Sequence, residues 1–395
     1  MTMAAAIESR TAEAKAWSTA SRIARVDIVS DLGTAEPIWR GLEAQFSTPY
    51  QRFDFLAAWQ RQVGERENLR SFIVAAYDSE RRPLVLLPLA LRHSRGVRTA
   101  RFMGGKHATF NMALCDRDFA RSATSADLDT LLTGIRGHSA ADVLALTQQP
   151  LRWRNLPNPM ALLPRQSSVN DCPLLTMAEG AAPAALISNS FRRRLKGKER
   201  KLQTLPGFRY GIAISDADIG RLLDWFFAIK PLRMAEQRLP NVFADAGVED
   251  FIRAACMSRL ADGSRVIDIH ALECDDDVIA IYAGVADGYR FSMMFNTYTM
   301  SENSRFSPGL ILMRNIIDDY AGRGYRALDL GIGADHYKRL FCKGDEPTFD
   351  CFIPLSPRGR LAASAMSGVT HAKRLVKQTP TLFHIAQRLR GALHR

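Results

Sequence analysis

The chain has 395 residues, of which 47% are hydrophobic and 24% are charged, and its formal net charge at pH 7 is +12. This length exceeds a single ordinary hydrophobic core and predicts two domains of roughly 150–200 residues. No apolar run approaches the ~18–20 residues of a membrane-spanning helix, and residues 1–17 lack the apolar core of a secretory signal, so these two classes are excluded and a cytoplasmic globular protein is expected.

The positive charge is concentrated in two segments. Residues 192–201 hold seven basic residues and one glutamate, whereas residues 351–395 hold eight Arg or Lys and no Asp or Glu. The rest of the chain is close to neutral, which argues against nucleic acid as the main substrate. The six cysteines form no CxxC pair and fit neither a zinc site nor a disulfide framework, so we expect reduced thiols and no metal.

Hydrophobic periodicity and turn signals define the elements of the first half. In chain order they are strand Val26–Ile28, helix Glu36–Phe46, an aromatic helix within Ser47–Trp59, strands Ser71–Tyr77, Pro83–Leu91, Thr99–Met103 and Phe110–Leu114, helix Asp127–Ile135 and strand Val143–Leu146.

The second half follows a similar order. It contains helices Ser188–Leu202, Ile219–Lys230 (ended by Pro231) and Val248–Leu260, strands Val266–Leu272, Val278–Val285 and Tyr289–Tyr298, helix Leu310–Tyr320 and strand Ala327–Leu330. Both halves place helices before a strand, a charged turn and a strand, and then continue strand, helix, strand. We interpret this as a weak internal repeat of one α/β unit, with a cleft between two lobes.

The turn Arg305-Phe306-Ser307-Pro308-Gly309 lies between a predicted strand and a predicted helix. The first turn of a helix has free backbone N–H groups, and its dipole favours negative charge. The residues from Arg305 to Leu310 therefore predict an anion site.

Residues 17–354 resemble the GNAT superfamily, and within it the two-lobed BioF-like acetyltransferase branch that includes proteins named after the cellulose-biosynthesis protein CelD. The resemblance is carried, in order, by Thr48-Pro49-Tyr50-Gln51 with Trp59, Phe191-Arg192-Arg193-Arg194-Leu195, Ser307-Pro308-Gly309, Leu328-Asp329-Leu330-Gly331 and Tyr337-Lys338-Arg339-Leu340-Phe341. It implies an α/β protein with mixed sheets, two tandem GNAT-like lobes and acetyl-CoA as the donor.

The domain limits that we predict are a disordered segment at 1–22, an N-terminal lobe at 23–176, a C-terminal acyltransferase lobe at 177–356 and a basic helical tail at 357–395. In this resemblance Arg305, Ser307, Gly309 and Leu310 hold the pyrophosphate of the donor. The loop departs from the superfamily pattern Arg/Gln-x-x-Gly-x-Gly/Ala, because it has one glycine and Pro308 supplies no N–H.

Acyl transfer to an amine requires a neutral amine, a polarised thioester and a protonated leaving thiolate. Asp329 lies in an apolar strand, where desolvation would raise its pKa toward that of a base. The alternative is that Asp329 braces the turn at Gly331–Gly333. Tyr337 corresponds to the GNAT tyrosine that protonates the thiolate, or it anchors the turn by packing.

Four further residues have two interpretations each. Lys338 contacts a phosphate or an acidic acceptor, or it is a surface lysine. Asn296 and Tyr298 point into the acceptor cleft, or they pack in the sheet. His270 is interpreted as a satisfied sheet-face histidine rather than a catalytic group.

The two basic segments also have alternative interpretations. The helix at 192–201 is a solvated face, or an entry rim for the CoA 3′-phosphate or an anionic acceptor. The tail is an interfacial helix attracted to anionic lipids, or a loosely docked segment.

The predicted function is transfer of an acyl group, acetyl first, from CoA to a small-molecule or sugar amine in cell-surface polysaccharide or envelope metabolism. Two rivals remain: a Fem-like aminoacyl transferase, whose family is close to this branch and uses charged tRNA, and a non-catalytic accessory protein of an envelope assembly. The expected location is the cytoplasm, with the basic tail as a peripheral contact at the inner membrane face.

Overall fold

The computed structural model describes residues 20–275, 277–333 and 335–379. The expected disorder of the N-terminus and the distal part of the basic tail, beyond Thr379, lie outside these residues. The strands are β1 Arg25–Val29, β2 Arg70–Tyr77, β3 Pro83–Ser94, β4 Val97–Phe102, β5 Leu114–Cys115, β6 Val143–Pro150, β7 Arg152–Trp153, β8 Leu156–Pro157, β9 Gln166–Ser167, β10 Cys172–Thr176, β11 Arg209–Ile212, β12 Asp268–Cys274, β13 Asp277–Ala286, β14 Arg290–Tyr298, β15 Ala327–Asp329, β16 Gly344–Glu346 and β17 Thr348–Pro354.

The helices are α1 Leu32–Glu43, α2 Phe53–Trp59, α3 Arg117–Ser122, α4 Ser125–Gly137, α5 Asn189–Leu202, α6 Asp216–Glu236, α7 Val248–Met257, α8 Pro308–Gly322, α9 Lys338–Phe341 and α10 Pro357–Gln378. Local sequence explains several starts. Thr124 and Asp127 form a capping box at α4, and the side chains of Ser188 and Ser215 cap α5 and α6.

The two large sheets have the same design, which confirms the predicted α/β fold of two similar lobes. In the first, β1, β2, β3 and β4 pair antiparallel in turn, β4 pairs parallel with β6, and β6 pairs antiparallel with β17. In the second, β11, β12, β13 and β14 pair antiparallel, β14 pairs parallel with β15, and β15 pairs antiparallel with β10. The helix that directly precedes the fifth strand is α4 in one lobe and α8 in the other.

The sixth strand of each sheet comes from the other half of the chain. The strand β17 follows the second lobe in sequence but pairs with β6, with Pro354 opposite Val143. The strand β10 precedes the second lobe but pairs with β15, with Leu174 opposite Asp329. The sheets therefore cross the predicted limit between residues 176 and 177, and each lobe is completed by an exchanged strand.

One hydrophobic core connects the lobes. The core of the first sheet is continuous with α6, α7 and the face of the second sheet that they cover, including Phe226, Phe251 and Phe295. A separate cluster lies on the opposite face of the second sheet, where α5 and α8 pack through residues such as Leu195 and Ile316. The second sheet thus lies between two helical layers, one of which faces the first lobe.

Two predicted elements are wrong. Residues 110–113 are buried but form no strand, because their backbone is held by irregular contacts such as Gln51 Nε2 to Phe110 O at 3.0 Å. Pro231 does not end its helix: α6 continues to Glu236 with Pro231 inside. A proline inside a helix costs about 3 kcal/mol, and burial of Phe226 before it and Met234 after it offsets this cost.

Candidate active site

A cavity of about 840 Å³ lies between the lobes. Its walls are the outer part of β14, the first turn of α8, the loop before α9, the C-terminal half of α6, part of α7 and residues 106–109 of the first lobe. A cavity of this size at an interface between lobes, with mixed apolar and polar walls, is typical of a small-molecule site.

The cavity opens where two neighbouring strands separate. The strand β14 pairs with β15 only through Arg290, Phe291 and Ser292, although β14 continues to Tyr298. Residues 293–298 of β14 all line the cavity, and so do Leu330, Gly331 and Ile332 beyond β15. The backbone groups on this edge of β14 are therefore turned toward the cavity and not toward a neighbouring strand.

The helix α8 begins at the same cavity. Ser307 adopts a left-handed backbone conformation with φ of 57°, and Pro308 occupies the first helical position. The cavity is lined here by Ser307, Gly309 and Leu310. A Cβ atom on Gly309 would lie 3.4 Å from the Tyr298 ring, so the glycine leaves the space between the helix start and this ring open. The predicted anion turn thus faces a real cavity.

Lys198 was not singled out by the sequence analysis, although the basic helix that carries it was. Its Nζ atom donates to Ser307 Oγ at 2.7 Å, so α5 brings a cation to the start of α8. Arg305, by contrast, is outside the cavity lining, with its side chain 66% exposed and 3.8 Å from Glu302. The structure therefore brings together the predicted Ser307, Gly309 and Leu310 but not Arg305.

The equivalent turn in the first lobe is closed by its own carboxylate. At the start of α4, Asp127 accepts hydrogen bonds from the backbone of Thr124 at 2.9 Å and from the backbone of Arg22 at 2.7 Å. The Asp127 side chain is 1% exposed and also pairs with the Arg22 guanidinium. An internal anion already satisfies this helix N-terminus, so the second lobe has the better site for an external one.

Asp329 is an ion-pair residue in the core and does not line the cavity. It accepts hydrogen bonds from Arg290 Nε and Ser292 Oγ, both at 2.8 Å, and from Gly331 N at 3.1 Å. Arg290 in turn lies over the rings of Phe110 and Trp153. These contacts favour the bracing alternative and give no support to Asp329 as a base.

Tyr337, Asn296 and Tyr298 are brought together in the cavity wall. Burial and the neighbouring Asp335 raise the pKa of Tyr337 well above its usual range, and a side-chain hydrogen bond to Asn296 partly opposes this. The phenol therefore keeps its proton at neutral pH, which is the state that a proton donor needs. Its placement agrees with the predicted role, and that role stays a prediction.

Lys338 is neither a surface lysine nor a free phosphate ligand. Its side chain is 4% exposed, and Nζ donates to the carbonyl oxygens of Gly331 at 3.1 Å and Ile332 at 2.9 Å, with Asp335 3.5 Å away. The surface alternative is wrong because the loop folds over the lysine. Since its three N–H groups have protein partners, Lys338 shapes the loop between β15 and α9.

Two cations on α6, Lys230 and Arg233, reach the cavity and were missed from the sequence. Lys230 Nζ donates to Asn296 O at 2.9 Å, and Arg233 lies 3.6 Å from the centre of the Tyr298 ring. Burial, and then the charge of Arg233, lower the pKa of Lys230 to about 8. Their i, i+3 spacing would place both side chains on one face of a helix. The sequence did not indicate this, because Pro231 was expected to end the helix between them.

His270 is a satisfied core histidine, as predicted. Its Nδ1 lies 2.9 Å from the Tyr210 hydroxyl and its Nε2 lies 3.1 Å from the Tyr320 hydroxyl, which itself donates to Asp268. This network assigns the proton to Nε2. Burial lowers the pKa of His270 to about 3, so the ring is neutral, and His270 does not line the cavity.

All six cysteines are free thiols, five of them buried. Among the residues that the structure describes, no group of three or more His, Cys, Asp or Glu side chains is arranged to hold a metal ion. Within the same residues, no helix combines the length and apolar character needed to cross a membrane.

Comparisons with known proteins concern the second lobe and the overall fold. Residues 189–339 match the family described as "Acetyltransferase (GNAT) domain". No curated protein sequence matches the chain.

Among solved structures, FemX superposes with a TM-score of 0.54 at 7% identity and covers 86% of this chain and 100% of its own. The C-terminal domain of a predicted lysylphosphatidylglycerol synthetase from Agrobacterium fabrum gives 0.52 at 9% identity, covering 85% and 97%. A conserved protein of unknown function from Bacteroides thetaiotaomicron also gives 0.52, at 11% identity, covering 83% and 99%. The second lobe is thus similar in sequence to GNAT acetyltransferase domains, and the two lobes together share the fold of these structures.

Proposed function

We propose that the protein transfers an acyl group, acetyl in the first instance, from acyl-CoA to an amine acceptor. The observation that carries the proposal is the separation of β14 from β15 directly beside the first turn of α8, within one cavity that reaches the first lobe. The separated strands leave room for an extended thioester arm, and the helix start suits its pyrophosphate.

The residues present fit a CoA donor in part. Gly309 leaves the helix start open, and Lys198 supplies a positive charge at Ser307. Pro308 removes one backbone donor, so the lysine compensates for a cradle that is poorer in N–H groups. A lysine binds phosphate as a point charge and tolerates this change in backbone geometry.

In the proposed step the amine nitrogen forms a bond to the thioester carbonyl carbon, and the carbon–sulfur bond breaks with its electron pair on sulfur. The amine loses one proton and the thiolate gains one, giving an amide and a free thiol. Tyr337, protonated and in the cavity wall, is the proposed donor to sulfur. Asp329 is excluded from the proposal because both its oxygens accept hydrogen bonds in the core.

Calorimetric titration of the full chain with acetyl-CoA tests the donor. We expect saturable binding, and a melting point that rises because a ligand at about 100 times its Kd adds about 2.7 kcal/mol of stability. Gly309→Val should weaken binding more than tenfold by filling the helix start. No binding of any acyl-CoA at saturating concentration would overturn the proposal.

A second candidate is an aminoacyl transferase, favoured by the likeness of the whole two-lobed fold to FemX. The exposed arginines and lysines of α5, such as Arg193, Arg194 and Lys196, provide a surface for an RNA donor. A competition experiment distinguishes the acyl-CoA donor from the aminoacyl-tRNA donor. Charged tRNA should displace acetyl-CoA only if charged tRNA is the donor. If neither donor supports turnover, the non-catalytic accessory role is the candidate that remains.

The acceptor class and the location follow from the BioF-like and CelD resemblance, and we propose an amine of cell-surface polysaccharide metabolism, handled in the cytoplasm. The tail is the proposed membrane contact. In the described part of the tail, α10 exposes Leu361, Val369 and Leu375 among Arg and Lys residues. Co-sedimentation with vesicles rich in phosphatidylglycerol, and not with neutral vesicles, is the expected result.

A further inference from the structure

Lys230 and Arg233 form a pair of cations on one side of α6, three residues apart. Both side chains are half-buried, and both line the cavity. Their contacts are with backbone carbonyls and rings: Asn296 O and the Phe243 ring for Lys230, and Thr299 O and the Tyr298 ring for Arg233. Two positive charges thus converge on the space between the lobes.

The pair differs from the other cations of the cavity. Lys106 is paired with Asp245, and Lys338 is satisfied by two carbonyl oxygens and Asp335. For Lys230 and Arg233, no carboxylate oxygen of the described chain lies within 4.0 Å. Asp335 lines the same cavity and acts on Lys230 only at longer range. A half-buried pair of cations without a counter-ion is costly for a folded protein unless an anion binds there.

The pair lies on a different helix from the proposed pyrophosphate turn, and the Tyr298 ring lies between Arg233 and Gly309. The helix α6 packs with α7 on the face of the second sheet that continues into the core of the first lobe, whereas α5 and α8 pack on the opposite face. Lys230 Nζ lies 5.8 Å from the centre of the Phe243 ring, and the cavity that both cations line also includes Phe251 and residues 106–109 of the first lobe. The pair thus faces the same cavity that an acceptor would share with a thioester held along β14.

We propose that the acceptor carries an anionic group, a carboxylate or a phosphate, which Lys230 and Arg233 bind while the acceptor's amine faces the donor. This inference rests on the proposed acyl transfer and names its substrate class. The guanidinium binds two oxygens of a carboxylate or phosphate in a fixed geometry, and the ammonium adds a second charge beside it. The lowered pKa of Lys230 agrees with a cation that lacks its counter-ion in the free protein.

Matched amines test this in the full-length chain. The probes are glucosamine 6-phosphate against glucosamine, and β-alanine against β-alaninamide, each with saturating acetyl-CoA. For the wild type we expect kcat/KM to be at least tenfold higher for the anionic member, which carries the phosphate or carboxylate, in at least one pair. Arg233→Gln and Lys230→Met should each reduce that preference about tenfold, mainly through KM, while the Kd of acetyl-CoA changes less than twofold.

Lys230→Arg is the matched control, because it keeps the charge and should keep most of the preference. Loss of preference in Lys230→Arg equal to that in Lys230→Met would overturn the inference, since charge would then not be the property that matters. So would weakened acetyl-CoA binding in Arg233→Gln, which would assign the pair to the donor. Equal use of charged and neutral amines by the wild type would overturn it as well.

A binding readout separates this inference from the proposed function. In a melting assay without acetyl-CoA, the amines that carry an anionic group should stabilise the wild type. They should not stabilise the Lys230→Met/Arg233→Gln double variant. That result supports the anion site even if acetyl-CoA fails to bind. Equal shifts in the two proteins count against the anion site even if acetyl transfer is found.

Discussion

The hydroxyl of Tyr50 in the first lobe lies 2.9 Å from Oγ of Ser292 in the second lobe, and Ser292 donates to Asp329 at 2.8 Å. Tyr50 is fully buried and also contacts Thr109 Oγ1 at 3.0 Å. Through Ser292 and Asp329, the first lobe is connected to Arg290 and to the turn at Gly331 that borders the cavity. The site thus depends on a polar network that crosses the lobe interface.

Tyr50→Phe tests that network. Removing the hydroxyl leaves Thr109 and Ser292 short of a buried partner, so we expect the free energy of unfolding to fall by about 1–3 kcal/mol. Urea denaturation is the measurement. Tyr77→Phe is the control, because its hydroxyl makes no hydrogen bond in the described chain, and an equal loss of stability in both variants would contradict the assignment.

Asp329→Asn separates bracing from catalysis. The change leaves the buried Arg290 with only Glu346, 3.0 Å away, as its carboxylate partner. Breaking a buried ion pair costs about 3–5 kcal/mol, so we expect a large loss of stability by denaturant unfolding. A variant as stable as the wild type but without turnover would instead show that Asp329 acts as the base.

Tyr337→Phe tests the proton donor. We expect kcat to fall about 100-fold with the Kd of acetyl-CoA unchanged, because the departing sulfur is the only part of the donor that uses the hydroxyl in the proposed step. Since the pKa of Tyr337 lies above its usual range, wild-type activity should not fall through tyrosine ionisation below about pH 10. Pre-steady-state turnover measures the step, and wild-type kcat in the variant would remove Tyr337 from the mechanism.

Lys198→Met tests the contact between α5 and the start of α8. Loss of the charge beside Ser307 should raise the Kd of acetyl-CoA about fivefold to tenfold by calorimetry, and the effect should shrink at high salt. Lys196→Met is the matched control, because that lysine is on the same helix but exposed. Equal effects of the two changes would indicate general attraction and not a specific contact.

Stability should respond to pH through Lys230. Its pKa is about 8 in the folded protein and about 10.5 when unfolded, so between these values the unfolded state binds more protons and stability rises with pH. The charge of Arg233 and, at longer range, that of Asp335 act on it, and Lys106, His107, Tyr337 and Lys338 line the same cavity.

Lys230→Met should therefore be more stable than the wild type by about 1–2 kcal/mol at pH 7, less than the full shift because the side chain is partly exposed. This difference should vanish by about pH 10.5. Urea denaturation at each pH compares the two proteins directly, which cancels the titration of other groups. A constant difference from pH 7 to pH 10.5 would show that packing, and not charge, separates them.

The sequence predicted those features that depend on local pattern. Strands such as Ser71–Tyr77 and the helix after Ser307 follow from periodicity and turn residues, and the repeated order of elements predicted two like sheets. The exchange of β10 and β17 was not predictable, because each strand pairs with a partner far along the chain and its own residues do not specify which sheet it joins.

The site shows the same division. Ser307, Gly309, Asn296 and Tyr337, which line the cavity, could be proposed from sequence because they flank recognisable elements, and their roles stay predictions. For Asp329 the sequence leaves a base and a brace as alternatives, because the ion pair with Arg290 that favours the brace is a tertiary contact between two strands. Lys230 and Arg233 were missed because tertiary packing carries α6 through Pro231, against the local preference.

The strand exchange has a consequence for biosynthesis. The strand β17, which pairs with β6 in the first sheet, consists of residues 348–354. These residues leave the ribosome about 200 residues after β6. At roughly 5–20 residues per second, the nascent first lobe would wait about 10–40 s with the edge of β6 uncovered. The chain thus has reason to need protection on the ribosome, and cutting it between the lobes should yield two fragments that fold only together.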